Sequence, residues 1–348
     1  PQSIIFRPLL VSFCAAAFAT RPLLNPKHFT ARFQMSSQPE KVPRLTMRIG
    51  THDGSFHCDE VLACWLLKQT EKFQNAEIIR TRDPKILFGD ESSGVLPCDV
   101  IVDVGAQYVP EQFKFDHHQR EFTGTFSPKH QTKLSSAGLI YKHFGLEILQ
   151  RILPAVSPDQ VQKLYDVVYN NFIEEIDGVD NGVSCYPTTI EPAYRITTQL
   201  GQRVGRLNPR WNDAVQDPNP GFFKAIDMVG AEFSQVVDYY GNSWLPARTI
   251  VAESLARRFE VDPSGSIMIM ETFAPWKEHL FELEARNSER ARTHTHPFDS
   301  SNTVIHFLAR KHLPQHLRRR GSPQLTHHPH TLPATGSHTA PHSQFEKS

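Results

Sequence analysis

From residue 44 onward, short β-branched and apolar runs alternate with segments of helical spacing. LTMRIGTH predicts a strand. DEVLACWLLKQT, apolar at Val61, Leu62, Trp65 and Leu66 with acids in its first turn, predicts a helix. AEIIRTR (76–82) predicts a second strand and DVIVDVG (99–105) a third, whose unbroken apolar run suits burial on both faces of a parallel sheet. FKFDHH predicts a short fourth, and KLSSAGLIYKHFG a helix with a serine cap before it and Gly145 after it. From 157 to 258 the pattern is helical, and SPDQVQKLYDVVYNNFIEEID places Val161, Leu164, Val168, Phe172 and Ile176 on one stripe. SIMIME (266–271) predicts a lone strand with nothing after it to pair with. The βαβ rhythm predicts an α/β fold: an open, mostly parallel sheet with helices on both faces, a helical region after it, and an incomplete C-terminal domain. Sites in such sheets lie beyond the carboxyl ends of the strands.

Charge divides the chain where periodicity does. Its 37 basic and 37 acidic residues cancel only on average. Residues 1–39 hold four basic residues and no acid, residues 40–284 hold 24 basic against 34 acidic, and residues 285–348 hold nine against three, with ten of the 18 histidines. An acidic middle is a poor general binder of phosphate backbones, so any phosphate it handles is expected to be held through metal ions. No stretch reaches the roughly 18 to 20 apolar residues of a membrane helix, so no membrane partner is expected. Five widely spaced cysteines without a CxxC pair predict free thiols rather than a disulfide scaffold. The basic, acid-free start has the composition of a mitochondrial transit peptide; a secretory signal ending at Ala17-Phe18-Ala19 is the rival reading. The His/Pro-rich tail has too few apolar residues to build a core and is expected to be disordered.

Four groups that carry chemistry fall at predicted strand ends or helix termini: His52, Asp53, His57 and Asp59 in GTHDGSFHCDE, Asp103 in VDVG, Asp116, His117 and His118 in DHHQ, and Asp177 and Asp180 in EEIDGVDNG. Imidazole and carboxylate donors in one cleft suit Mn²⁺, Mg²⁺ or Zn²⁺. More carboxylates than one ion needs predict a pair of ions. Asp103 carries the most weight, because an unpartnered carboxylate at the end of a buried strand is costly.

H-x₄-H-x-D, VDVG, DHHQ and VDNG together resemble the DHH phosphoesterase superfamily. GTHDGSFHCDE, IRTRDP, FDHHQREF, QTKLSSAGLIYKHFG, RLNPRWN and SWLPAR are similar to one branch of it, the melanocyte-proliferating-gene exonuclease family. The resemblance covers about 48–284. It implies a Rossmann-like DHH domain with a smaller substrate-binding domain after it, and a metal-dependent 3'-5' exoribonuclease acting on RNA in mitochondrion and nucleus. Two divalent ions are implied, with Mn²⁺ expected and Mg²⁺ the alternative. One ion would be held by His52, His57 and Asp103, the other by Asp59, Asp103, His117 and Asp180. His118 would face the scissile phosphate, Asp116 would orient a histidine, and Ser135 and Ser136 would offer donors to a phosphate. His57 departs from the wider superfamily, which usually has Asp there, so the site loses one unit of negative charge. The family's Gly-Gly loop has no counterpart in this chain.

The domain reading is then a leader and linker over 1–43, the DHH-type metal-binding domain over 44–258, the start of a truncated substrate-binding domain over 259–284, and a disordered tail over 285–348. Two further functions stay open at this level: a small-substrate phosphoesterase or pyrophosphatase, and an inactive product acting only through its fold. Oligomeric state is not legible.

Overall fold

The computed structural model describes residues 46–292. The leader, most of the tail and Cys14 lie outside this range. Strand β1 (Arg48–Thr51) occupies the middle of a five-stranded sheet. It pairs in parallel with β2 (Glu77–Arg80) on one side and β3 (Val100–Val102) on the other. Beyond β3 lie β4 (Tyr108–Val109) and β5 (Lys114–Phe115), in the order β2-β1-β3-β5-β4; only the edge strand β4 runs antiparallel. The chain leaves β1 toward β2 and returns to β3, so the strand order reverses between β1 and β3. That reversal is where ligands of open α/β sheets bind.

Both faces of the sheet are covered, as the apolar run of β3 predicts. Val100 and Val102 join Ile49 and Phe115 in the main core, while Ile101 turns to a small cluster with Leu87 and Cys98. Helix α1 (Cys58–Lys68) belongs to the main core through Val61, Leu62, Leu66 and Leu67. Helix α2 (Pro84–Phe88), capped by the Asp83 carboxylate on Lys85 N, supplies Leu87 to the other side. Cys58 and Cys64 are free buried thiols, Cys98 is buried as well, and Cys185 is free and exposed.

Helix α3 (Ser136–Ile152) runs through Gly145 instead of ending there. A Cβ at Gly145 would stand 2.7 Å from Cε2 of Tyr165, so this glycine serves a close helix approach rather than a stop. The facing helix is α4 (Pro158–Val168), which continues through a π-helical turn (Tyr169–Ile173) into α5 (Glu174–Asp180). The π turn shifts the apolar stripe: Val161, Leu164, Val168 and Ile176 are buried as predicted, but Tyr169 and Ile173 take the place expected for Phe172.

After α6 (Leu200–Gly205), helix α7 (Asn219–Asp238) passes through a second π turn (Tyr239–Trp244) into α8 (Leu245–Ala256). The short α9 (Arg258–Val261) precedes the segment predicted as a strand. Residues 266–271 form no strand; Met268 and Met270 are instead buried in a small cluster with Val251, Leu255 and Leu280. Helix α10 (Lys277–Arg292) extends eight residues past Glu284, where the helical pattern was expected to stop. Its Glu282 meets Lys163 at 2.6 Å and Arg248 at 2.8 Å. Among the described residues, no helix is long and apolar enough to cross a membrane.

Candidate metal centre

Three neighbouring parallel strands end at the same place, and each delivers a metal-binding side chain from its carboxyl end. His52 follows β1, Asp103 follows β3, and Asp116 and His117 follow β5. The fourth contribution comes from the loop entering α1, with His57 at its N-cap and Asp59 in its first turn, and the fifth from Asp180 at the end of α5. The entry loop is held from outside the sheet. Asn208 clamps the Phe56 peptide with two hydrogen bonds, accepting from Phe56 N at 3.0 Å and donating to Phe56 O at 2.9 Å, and Arg80 donates to Gly54 O at 2.7 Å. Asp103 has φ 55°, in the left-handed region that a non-glycine residue rarely occupies. Such conformations concentrate at functional sites, and here the turn follows a fully buried strand.

His117 Nε2 lies 3.3 Å from Asp103 Oδ1, 3.2 Å from Asp180 Oδ2 and 3.9 Å from Asp59 Oδ2. His52 Nδ1 is 3.0 Å from the Asp53 carbonyl, and Nε2 lies 3.4 Å from Asp103 Oδ2 and 3.1 Å from Glu60 Oε1. Burial disfavours charge on His52, yet the Asp103 and Glu60 carboxylates prevail and push its pKa up to about 10. Burial likewise works against charge on Asp103, but His117 and His52 hold its carboxyl well below the usual range. Burial and the carboxylates of Asp103, Asp180 and Glu60 push Asp59 well up. Asp59, Glu60 and Asp103 each place an oxygen within 4.8 Å of the others.

Divalent cations fit this arrangement. Asp59 Oδ1 and His117 Nε2 are buried without a hydrogen-bond partner, which is costly unless an ion takes them. The carboxylates Asp59, Glu60, Asp103 and Asp180 crowd one cleft with the imidazoles of His52, His57 and His117. The six expected ligands, His52, His57, Asp59, Asp103, His117 and Asp180, are all brought together. Asp59, Asp103 and Asp180 surround His117 Nε2, and His52 Nε2 also meets Asp103, while His57 lies with His52 and Glu60 on one side and with Asp59 and Asp180 on the other.

His118 and Asp116 stand at the rim. The Asp116 carboxylate accepts from Ala106 N at 2.6 Å and His118 N at 3.0 Å, and lies 2.7 Å from His118 Nδ1. That bond raises the His118 pKa above its ordinary value. The His118 side chain is 60% exposed, so its second nitrogen can meet a ligand. With Arg82, His52 and His57 it lines an open cavity of about 320 Å³.

Ser135 and Ser136 meet a different geometry from the one expected. Both are fully buried, with their hydroxyls committed to carboxylates and none facing an open phosphate position. Ser135 donates from N (2.9 Å) and Oγ (2.7 Å) to Asp177 Oδ1; Ser136 Oγ lies 3.0 Å from Asp103 Oδ1 and 3.2 Å from Phe115 O. Asp177 is thus set apart from Asp180. It also accepts from Gly138 N at 3.1 Å and Tyr169 OH at 3.0 Å, bolting α5 to the start of α3. Burial pushes its carboxyl up to about 7. A Cβ at residue 138 would lie 2.3 Å from its oxygens, so only glycine admits the contact.

Two residues at the centre carried no role in the sequence reading. Glu60 is fully buried and accepts from His57 N at 2.8 Å while facing His52. Its signal was the acid three residues after the helix cap. Arg82, in IRTRDP, is the cation of the open cavity and lies 3.4 Å from Asp53.

The fold and the site together define an α/β protein that carries, at the switch point of its sheet, a buried histidine–carboxylate cluster able to hold a metal ion. The chain belongs to the MYG1 exonuclease family: the family model MYG1_exonuc, "Uncharacterised protein family (UPF0160)", matches residues 48–304. It is 52% identical over 257 residues to the MYG1 exonuclease of Bos taurus, covering 71% of this chain and 65% of that protein. Over 279 residues it is 49% identical to the MYG1 exonuclease of Homo sapiens (76% and 72% covered), and over 240 residues 46% identical to the MYG1 protein of Dictyostelium discoideum (68% and 70%). The chain therefore spans about two thirds of the length of these relatives. No solved structure matches it.

Proposed function

We propose that this chain is a metal-dependent phosphodiesterase of the DHH type that removes nucleotides from RNA 3' ends. The observation that carries the reading is the convergence of orphaned buried ligand atoms, Asp59 Oδ1 and His117 Nε2, with the exposed His118 at the rim of an open cavity. The relatives named exonucleases support it. His52, His57, Asp59, Asp103, His117 and Asp180 would hold two divalent ions, Mn²⁺ before Mg²⁺, and Glu60 adds the carboxylate charge that His57 lacks. Bound ions would polarise the phosphodiester and neutralise the charge it develops. The chain's own groups supply the rest. Asp116 fixes Nδ1 of His118 and favours its protonated form, so that Nε2–H can donate to a phosphate oxygen or to the leaving oxygen. Arg82 offers a second cation to the same phosphate.

RNA labelled at its 5' end, incubated with the chain and Mn²⁺, should shorten one nucleotide at a time from the 3' end, and pyrophosphate should be left intact. Hydrolysis of pyrophosphate with RNA untouched would overturn the reading. As part of the same proposal, the basic leader directs the chain to mitochondria, with a nuclear pool beside it. A fusion of residues 1–39 to a fluorescent protein that stays cytosolic would refute the import step.

A further inference from the structure

A second cavity, of about 470 Å³, has His57 in common with the one at His118 and otherwise a different lining. It shares His57, Asp59 and Asp180 with the metal centre, but its walls are of another kind: Phe56, Phe172, Ile176 and Leu200 are apolar. Gln199 and Gln202 add two primary amides at its edge. Volume and lining fall within the range of small-molecule sites, in which an apolar slot is oriented by a few polar groups.

Helix α6 is the cavity's outer wall, and its sequence LGQRVG places two glycines on it. Glycine is a poor helix former. Neither Gly201 nor Gly205 has a positive φ, so the backbone does not demand them. Packing does not demand them either. A Cβ at Gly205 would meet nothing within 4 Å, and one at Gly201 would make ordinary contact with Val179 at 3.6 Å. What the two glycines preserve is empty space beside the metal ligands.

We infer that this cavity seats the terminal nucleoside of the polynucleotide, with its base between the apolar walls and its phosphate at the metal centre. The inference rests on the phosphodiesterase reading and names the part of the substrate that reading leaves open. Pyrophosphate has nothing to place in an apolar slot, whereas a base has a flat face for the walls and a hydrogen-bonding edge for the glutamines. The same stretch of chain suits a polyanion: residues 195–210 carry Arg195, Arg206 and Arg210, besides Arg203 paired with Glu232, and no acid, in a middle segment that is acidic overall.

The test is binding of adenosine and cytidine to the full chain by calorimetry in the presence of EDTA, with ribose as the comparison. Both nucleosides should bind at least about tenfold more tightly than ribose. That preference should vanish in Gly205→Phe and in Gly201→Leu, and persist in Gly205→Ala, with Mn²⁺ titrations unchanged in all three. Circular dichroism identifies a variant that fails to fold, and the other filled variant then decides. Nucleosides binding no better than ribose, or filled variants binding as the parent does, would overturn the inference. The outcomes also separate it from the reading it rests on. Loss of nucleoside binding in the filled variants, with no RNA hydrolysis by the parent, keeps the pocket and removes the exonuclease. Equal digestion of RNA ending in a base and RNA ending in an abasic ribose keeps the exonuclease and removes the pocket.

Discussion

Asp177→Ala and Asp180→Ala, three residues apart, should fail in opposite ways. Asp177 accepts four hydrogen bonds, from Ser135 N and Oγ, Gly138 N and Tyr169 OH, and is fully buried. Its removal lets the two hydroxyls turn elsewhere but strands two backbone N–H groups, at about 1 to 3 kcal/mol each. Adding the lost anchor between α3 and α5, the cost comes to about 3 to 5 kcal/mol, in the range of broken buried networks. For a chain of this size that lowers the melting temperature by about 10 °C. Asp180 is 17% exposed at its side chain and meets His117, Asp59 and His57, with no backbone anchor like that of Asp177 among the described residues. Without metal, removing it relieves crowding among carboxylates, and stability should change by less than about 1 kcal/mol. The assay is thermal unfolding with and without Mn²⁺. Asp177→Ala should melt early and still be stabilised by Mn²⁺; Asp180→Ala should melt normally and lose most of that stabilisation. The reverse pattern would refute the division of roles between anchor and ligand.

Four further outcomes follow from the site. Asp103→Ala should weaken Mn²⁺ by more than the roughly 10- to 100-fold typical of residues behind the ligands, and calorimetry showing two unaltered sites would sink its shared role. His117→Ala should reduce metal occupancy, whereas His118→Ala should lower turnover at near-normal occupancy; equal metal loss in both would show the pair wrongly assigned. Asp116 raises the His118 pKa, so the stabilisation from that pair is present below about pH 6.5 and lost as pH rises through the raised value. In the metal-free protein, Asp116→Asn should therefore move the His118 ring resonances to titrate at lower pH, and an unchanged titration would contradict the bond's role. Glu60→Gln keeps an oxygen for His57 N, so stability should hold within about 1 kcal/mol while Mn²⁺ affinity falls; undiminished affinity would leave Glu60 a helix cap alone.

His52, Asp103 and His117 were legible as a group because each follows a strand that the apolar pattern marks, and Asp103 after VIV has no cheap structural explanation. What stayed hidden had a competing explanation or lacked a pattern. Glu60 looks like any acid in the first turn of a helix. Ser135 and Ser136 look like donors for a phosphate until burial shows that the Asp177 and Asp103 carboxylates already claim them. Strand β4 has two residues, too few for period-two alternation to register. SIMIME has strand composition yet forms no strand, which composition alone cannot reveal. Gly145 resembles a stop signal because the sequence does not announce that Tyr165 will pack against it.

The π turn at Tyr169–Ile173 gives the helix that carries Asp177 and Asp180 a place where its length can change. Each residue advances a helix by about 100°. A π turn winds one residue more into the same rotation than a regular helix does, so deleting one residue between 170 and 172 should restore regular winding with Asp177 and Asp180 still directed at their partners. Deleting Gly178 or Val179 instead would leave Asp177 on its four donors and turn Asp180 by about 100° out of the cleft. The helix is adjustable in length on one side of Asp177 and fixed on the other.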